Sequence, residues 1–464
     1  MNYKNQYQRK AHQEIDFIFL TLLPQTGLSV REEQVKLSHQ MLDTLLEGKI
    51  ALCDAGVGIG KTYAYLVACV LMRKYAAAMG NGWVCDKRPV VISTSSIALQ
   101  EAIIQEYIPF LSDIFLATGL IGSPLKAIVR KGKEHFVCDN RLEVRLEAVR
   151  DKPKNEAQKK ALFSLKQIYD MDEVANLSSF DRRLVCVPKF CPKECPGRTS
   201  CRYQMYLKQA RDPDIFFQIC NHNYLLADSS HRAKDYKPLL TDYRALIVDE
   251  AHKLPDAARQ MYGKSLCYED ILEICYFLER EHQGMAAKKL KGVFHNLFHI
   301  VSENHMTDEG PASAFRMTEE CAIALEEGKE VLKELTDKLR GIAPGWIRNQ
   351  LEKAGEVLTI FTGSSKRYIL HLEQDKGKLP QLCATSRKIP DILSGMLWSQ
   401  GFPAILTSGT LKAGNGFSRT RQENGLGKEI RVMEYVAESP FAYEKNCLLY
   451  LPQTLRRTKH GSRE

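Results

Sequence analysis

Lys61 and Thr62 close the run Asp54-Ala55-Gly56-Val57-Gly58-Ile59-Gly60-Lys61-Thr62, which follows a strand-like apolar stretch and opens a helical pattern. A phosphate-binding loop requires that context. Gly56, Gly58 and Gly60 let the backbone turn its N–H groups toward phosphate oxygens, and the helix N-terminus adds partial positive charge. Lys61 is the candidate for reaching the phosphates of ATP, and Thr62 for ligating Mg²⁺ through its hydroxyl. Ala55 stands where the strict pattern has its first glycine. Farther along, the apolar run Ala245 to Val248 delivers two adjacent carboxylates, Asp249 and Glu250, followed by Ala251 and His252. Asp249 is placed to hold Mg²⁺, and Glu250 to orient and deprotonate an attacking water.

A third group of residues offers sulfur. The chain has 14 cysteines, and Phe17 to Leu23 makes a poor secretion signal because Glu14 and Asp16 precede it and no small-residue cleavage site follows. A reducing compartment therefore keeps the thiols free, and metal or cluster binding becomes the competing explanation. Cys186, Cys191, Cys195 and Cys201 crowd together, with Cys138 far upstream. Structural zinc sites favour paired, closely spaced knuckles, whereas a remote first ligand followed by loosely spaced ones suits a [4Fe–4S] cluster held by four thiolates. Cys186 lies in the apolar run Leu184-Val185-Cys186-Val187, where a packed thiol is the ordinary role, so Cys191 is preferred as ligand with Cys186 as its alternate. Zinc in place of iron–sulfur stays open. Most of the remaining cysteines fit core packing.

These groups need a frame. The 464 residues are 44% hydrophobic and 26% charged, enough for two to four domains with sizeable cores. The longest apolar stretches, Phe17 to Leu23 and Tyr63 to Met72, fall short of the roughly 20 residues that span a bilayer, so a soluble, cytoplasmic protein is expected. Six short apolar runs read as buried strands of a parallel sheet: 50–53, 90–93, 127–129, 215–220, 245–248 and 404–406. Helical patterns at 61–75 and 97–111 alternate with them, which predicts an α/β core with helices on both faces. Two stretches interrupt the alternation. One is the cysteine-bearing segment, where Lys126 to Arg211 holds 20 Lys and Arg against 11 Asp and Glu, an excess equal to the net charge of +9. The other, from about Asp256 to Gly363, is almost purely helical in period and ends in an expected hairpin from Tyr368 to Thr385 that turns near Asp375-Lys376-Gly377.

Asp-Glu-Ala-His together with this P-loop resembles a superfamily 2 helicase, and the cysteine insertion between them resembles the XPD/DinG branch of iron–sulfur DNA helicases. Further stretches fit in order. Arg31-Glu32-Glu33-Gln34 resembles the Q motif, in which Gln34 would read adenine. Ser93-Thr94-Ser95-Ser96-Ile97-Ala98-Leu99-Gln100 resembles motif Ia, in which Thr94 and Gln100 would face the DNA track. Asn221-His222-Asn223-Tyr224-Leu225-Leu226 matches the family's Asn-His-x-x-Leu-Leu signature, and Thr407-Ser408-Gly409-Thr410-Leu411 resembles motif III, which couples nucleotide state to DNA grip. The family's cysteine pattern carries over onto Cys138, Cys195 and Cys201, while Cys191 departs from it by one residue of spacing. Around the cluster, Arg130, Lys131, Lys133, Arg182, Arg183, Lys189, Lys193, Arg198 and Arg202 would track a phosphate backbone, and Phe136, Phe190, Tyr203 and Tyr206 would stack on bases.

The resemblance implies a P-loop, RecA-like motor domain in three parts, 1–120, 202–255 and 386–438, with an iron–sulfur insertion at 121–201 and a helical arch at 256–385. Residues 439–464 are expected to begin a truncated second motor domain, entered at Ser439-Pro440-Phe441 and the strand-like stretch Cys447 to Leu451. The implied function is ATP-dependent 5′→3′ translocation on single-stranded or forked DNA with duplex unwinding in repair or replication, using ATP, Mg²⁺ and a [4Fe–4S] cluster and acting as a monomer. Two alternatives stay open: an ATP- and single-strand-binding module without unwinding, and a zinc-stapled DNA-binding scaffold for another motor.

Overall fold

The computed structural model describes residues 6–75, 87–150, 156–188, 191, 194–305, 312–363, 366–374, 377–441 and 445. Lys189, Phe190, Lys193, the turn residues Asp375 and Lys376, and the stretch Cys447 to Leu451 lie outside them. Among the described residues, no helix is long and apolar enough to cross a membrane.

Seven strands form one sheet: β1 (Ile50–Ala55), β2 (Val90–Ser93), β3 (Lys126–Arg130), β4 (Ile215–Cys220), β5 (Ala245–Asp249), β10 (Ala404–Ser408) and β11 (Val432–Ala437). Their order is β11-β1-β10-β5-β2-β4-β3, and every pairing is parallel. Strands of this kind are apolar on both faces because helices cover both. Leu52 and Val248 pack into one core, and Cys53 and Ile247 into the other. All six expected strands are present, within two residues at each end. The edge strand β11 was not expected; its side chains are mostly half-buried or exposed, so it lacks the unbroken apolar run that marks the inner strands.

The helix Lys61–Tyr75 forms as expected, but the pattern at 97–111 is broken by a π-helical turn, Ile103–Tyr107. Pro109 lies just beyond it, and the turn Ile18–Leu22 likewise precedes Pro24. Proline removes one backbone donor and crowds the carbonyl four residues upstream, and a widened turn accommodates both. Helix Gln6–Phe17, which the sequence did not announce, is tied to helix Glu32–Leu46 by a buried imidazole pair. The Nδ1 atoms of His12 and His39 are 2.6 Å apart, and their Nε2 atoms meet Asp43 at 2.8 Å and Asp16 at 2.9 Å.

The helical stretch carries a small antiparallel sheet of its own, in order β6-β9-β8-β7, formed by β6 (Lys264–Leu266), β7 (Ala312–Ala314), β8 (Tyr368–Glu373) and β9 (Gln381–Ser386). Strands β8 and β9 are the expected hairpin, and Gly377 takes the left-handed conformation in its turn, with φ of 78°. Leu266, Leu372, Leu382 and Ala384 on one face of this sheet join the apolar sides of helices Tyr268–Arg280, Gly284–His305, Glu319–Lys338 and Gly345–Thr362 in a separate core.

Candidate nucleotide and cluster sites

Parallel pairing brings the C-terminal ends of β1, β10 and β5 side by side, with Asp54 opposite Ser408 and Thr407 opposite Asp249. Open α/β sheets bind ligands at that edge. After β1 the chain turns through Gly58 and Gly60, both left-handed with φ of 86° and 85°. A side chain at either position would be strained by the backbone and would collide, at Gly58 with the ring of Phe441 and at Gly60 with the Gln34 amide. Lys61 opens the following helix, and its Nζ rests 3.3 Å from the Ala55 carbonyl oxygen.

Asp249 ends β5 at 1% exposure. Burial raises its carboxyl to a pKa of about 6 despite the neighbouring Lys61 charge. Tyr65 donates its hydroxyl to Asp249 Oδ2 at 3.2 Å and also interacts with the Thr62 hydroxyl. Tyr65 therefore joins the two side chains expected to hold Mg²⁺, and this connection was missed; its position one helical turn after Lys61 is the signal that would have found it. Hydroxyl and carboxylate oxygens are the hard donors Mg²⁺ prefers, so this pair fits the ion. Glu250 takes a left-handed backbone, with φ of 52°, and turns back toward β10. Its Oε2 lies 3.4 Å from Ser408 Oγ and 3.3 Å from His252 Nδ1, and His252 Nδ1 is 2.7 Å from the same Ser408 Oγ. The Asp-Glu-Ala-His run and the motif III-like run are thereby in direct contact.

Gln34 sits on the P-loop at 6% exposure, donating Nε2 to the Gly60 carbonyl at 2.8 Å. Thr94 and Gln100 are not presented at the surface; they are 0% and 5% exposed. Thr94 Oγ1 accepts from the Ser96 backbone N–H at 3.4 Å and so shapes its own turn. His222, from the Asn-His signature, holds this strand end through Ser93 Oγ at 2.8 Å, and burial lowers its pKa to about 4.

The expected basic collar is largely internal. Arg130 is 4% exposed, with Nη2 donating to Leu239 O at 2.7 Å and to Tyr224 Oη at 3.2 Å. Lys131 binds Asp170 at 2.6 Å and Asp172 at 3.0 Å, and Arg202 is held by Asp139. Phe136, Tyr203 and Tyr206 are buried together, with ring centroids 4.5 to 6.0 Å apart. The reason is energetic: rings of this size gain most from water exclusion and edge packing, so they build the small core of the segment instead of a stacking platform. Lys133, Arg183 and Arg198 are the collar's exposed cations among the described residues.

Asp172 anchors that core. Burial pushes its carboxyl up, but hydrogen bonds from Arg182 and Lys131 and the charge of His135 outweigh it and bring the pKa down to about 2. A carboxyl depressed on folding contributes stability above its unfolded pKa near 4, and loses it as pH falls toward the folded value. Asp172→Asn is therefore expected to cost about 2 kcal/mol at pH 7, with the difference from the parent chain shrinking between pH 4 and pH 2. Denaturant titrations at pH 7 and pH 3 check this; a penalty equal at both would rule out the ionic role.

Of the five candidate cysteines, Cys191 is within electrostatic reach of three others, although among the described residues these thiols do not form a close-set ligand group. The thiol of Cys191 is pushed up by burial, eased by Lys133, and pushed up further by Cys138, Cys201 and Cys195. An antiparallel bridge sets Val137 opposite Cys186, and Cys138 N–H donates to the Val185 carbonyl at 2.8 Å. Side chains alternate across extended backbone, so Cys138 faces away from Cys186. Accordingly Cys186 packs with Val137, Leu142 and Val185, whereas Cys138 and Cys201 pack with Phe136 and Tyr203. Cys138 and Cys201 thus share a side, and thiols are the soft donors that an iron–sulfur cluster or zinc takes.

No family model matches the chain. It is 22% identical over 476 residues to the ATP-dependent DNA helicase YoaA of Haemophilus influenzae, covering 93% of this chain and 67% of that protein. To the ATP-dependent DNA helicase DinG of Escherichia coli it is 22% identical over 484 residues, covering 88% of this chain and 64% of the relative. The solved structure of S. tokodaii Xpd4 superposes with a TM-score of 0.40 at 14% identity, covering 88% of this chain and 60% of that one. The chain thus spans about two thirds of the length of these relatives. With its nucleotide motifs ordered along one parallel sheet, the chain is similar over nearly its whole length to the ATP-dependent DNA helicases YoaA and DinG.

Proposed function

We propose that this chain uses ATP hydrolysis to drive 5′→3′ movement along single-stranded DNA and duplex unwinding, in DNA repair or replication. The observation that carries this is the meeting of Lys61, Thr62, Asp249 and Glu250 at one sheet edge, with Ser408 and His252 linking that edge to the next strand. Gly56, Gly58, Gly60 and Lys61 would bind the phosphates, Thr62 and Asp249 would hold Mg²⁺, and Mg²⁺ supplies charge neutralisation on the phosphates. Glu250 Oε2, adjacent to His252, is the atom that would take the proton of the attacking water. Gln34 has its amide nitrogen committed to Gly60, which leaves Oε1 to accept from an adenine amino group.

Cys138, Cys191, Cys195 and Cys201 would hold a [4Fe–4S] cluster, which gives this segment its fixed shape. Lys133, Arg183 and Arg198 are the exposed charges nearest to it in sequence that a DNA backbone would meet. The test is ATP turnover by the purified chain with and without single-stranded DNA. We expect stimulation by DNA of at least about tenfold, and Glu250→Gln should lower kcat by at least about 10²-fold with little change in nucleotide affinity. Turnover at background with intact ATP and DNA binding would instead identify a binding module.

A further inference from the structure

The antiparallel sheet of the helical segment has a second face. Its even-numbered residues, Leu266, Leu372, Leu382 and Ala384, are buried against the helices. Its odd-numbered residues point the other way, and there chemistry gathers that the nucleotide and cysteine sites do not use. His371 on β8 is directly opposite Cys383 on β9, and Glu373 follows two residues later on the same face. A nitrogen of His371, a carboxylate oxygen of Glu373 and Cys383 Sγ all lie within 4.8 Å of one another. His371 Nε2 and Glu373 Oε1 are 3.3 Å apart.

A second thiol stands near this group of three. Cys267 directly follows β6, whose Ser265 is paired with Cys383 across the sheet, so Cys267 falls on the same odd-numbered face. Its thiol acts on that of Cys383, which burial, then Glu373 and then Cys267 push up to about 12. Cys267 Sγ donates to Asp270 Oδ2 at 3.1 Å, a bond given up when the thiol loses its proton to bind a metal. Cys267 and Glu373 also line one cavity of about 480 Å³.

We propose that His371, Glu373, Cys383 and Cys267 form a zinc site at the root of the helical segment. One nitrogen, one carboxylate oxygen and two sulfurs suit Zn²⁺, which accepts all three donor types in a tetrahedral shell. A dication also relieves the crowding of two thiols and a carboxylate on one half-covered face, and each thiol releases its proton to solvent as its sulfur binds. The ligands come from both flanks of the segment: Cys267 where the chain enters its helices, and the hairpin where the chain leaves them. Bound zinc would therefore tie entry to exit and hold the root as the helices move. This site is independent of the ATP and cluster readings.

The experiment uses the full chain, with zinc and iron content measured together and Zn²⁺ affinity read by competition with a chromophoric chelator. Wild type is expected to bind one zinc per chain more than His371→Ala, with iron content equal in the two. Glu373→Gln replaces an exposed carboxylate by its isostere and keeps the test available should His371→Ala fail to fold; it is expected to weaken that zinc at least tenfold. Co²⁺ in the same site should show the visible bands of a tetrahedral thiolate complex, lost in Cys383→Ser. Equal zinc stoichiometry and affinity in wild type and both His371→Ala and Glu373→Gln would overturn the proposal. Because the readout is a difference between chains, it does not depend on which metal the cysteine segment holds.

Discussion

Lys61→Ala is expected to reduce ATP turnover by at least about 10²-fold while leaving salt-sensitive DNA binding within about twofold of the parent chain. The loss follows from position. Lys61 stands at the first turn of its helix, directly after the loop where phosphates would lie, with its Nζ 3.3 Å from the Ala55 carbonyl oxygen. Its charge also acts on Asp249, so the substitution removes a lysine charge that favours the ionised form of that carboxylate. Folding should be little affected, because alanine is the better helix former and the buried Asp249 keeps its hydrogen bond from Tyr65. The DNA term is separate: the exposed cations Lys133, Arg183 and Arg198 lie on the cysteine segment, away in sequence from the P-loop. Steady-state hydrolysis and fluorescence anisotropy with labelled single-stranded DNA, each across a salt series, measure the two terms. Turnover within threefold of the parent would show that the P-loop assignment is wrong.

The nucleotide edge was legible because its strands are short, apolar and buried on both faces, and because glycine spacing and paired carboxylates have few other uses at strand ends. Sequence cannot show which side of an extended segment a residue occupies once its neighbours are all apolar. Phe136, Tyr203 and Tyr206 look the same whether they stack on bases or on one another, and only their packing against Val187 and Ile128 decides it. Arg130 is the corresponding case among charges: its carbonyl partner at Leu239 is more than a hundred residues away, and no local pattern announces it. Acidic partners for Lys131, Arg182 and Arg202 were visible in the composition, yet the count of excess charge hid that these cations pair internally. The left-handed Glu250 was likewise invisible, because glutamate seldom adopts that conformation, whereas the Tyr65 bridge had a signal in its spacing from Lys61 that is masked because a tyrosine in an apolar helix reads as core.

Cysteines 186 and 191 give the sharpest test of that limit, since the sequence left both available and the fold separates them. Cys191→Ser is expected to leave a chain that cannot retain its cluster, with iron falling from about four per chain to well under one and visible absorbance lost. Cys186→Ser should keep both iron and colour. The difference rests on the bridge between Val137 and Cys186: it turns Cys186 into the core of Val137, Leu142 and Val185, while Cys138, one residue along, points to the opposite side with Cys201. Cys186 also has a local arrangement of its own, with Sγ 3.5 Å from the Arg183 carbonyl and its backbone oxygen accepting from Arg141 at 2.9 Å. Cys191 is exposed, and its thiol, pushed up by burial and eased by Lys133, also feels those of Cys138, Cys201 and Cys195, the partners the proposed cluster would share. Serine keeps the size of cysteine but binds iron poorly, so folding at the half-buried position 186 should suffer little and any iron lost there would reflect ligation. Anaerobic purification followed by iron analysis and absorbance of both variants decides the matter: iron lost in Cys186→Ser and kept in Cys191→Ser would reverse the ligand assignment, and a colourless parent chain holding zinc that Cys191→Ser loses would replace the cluster with a zinc site.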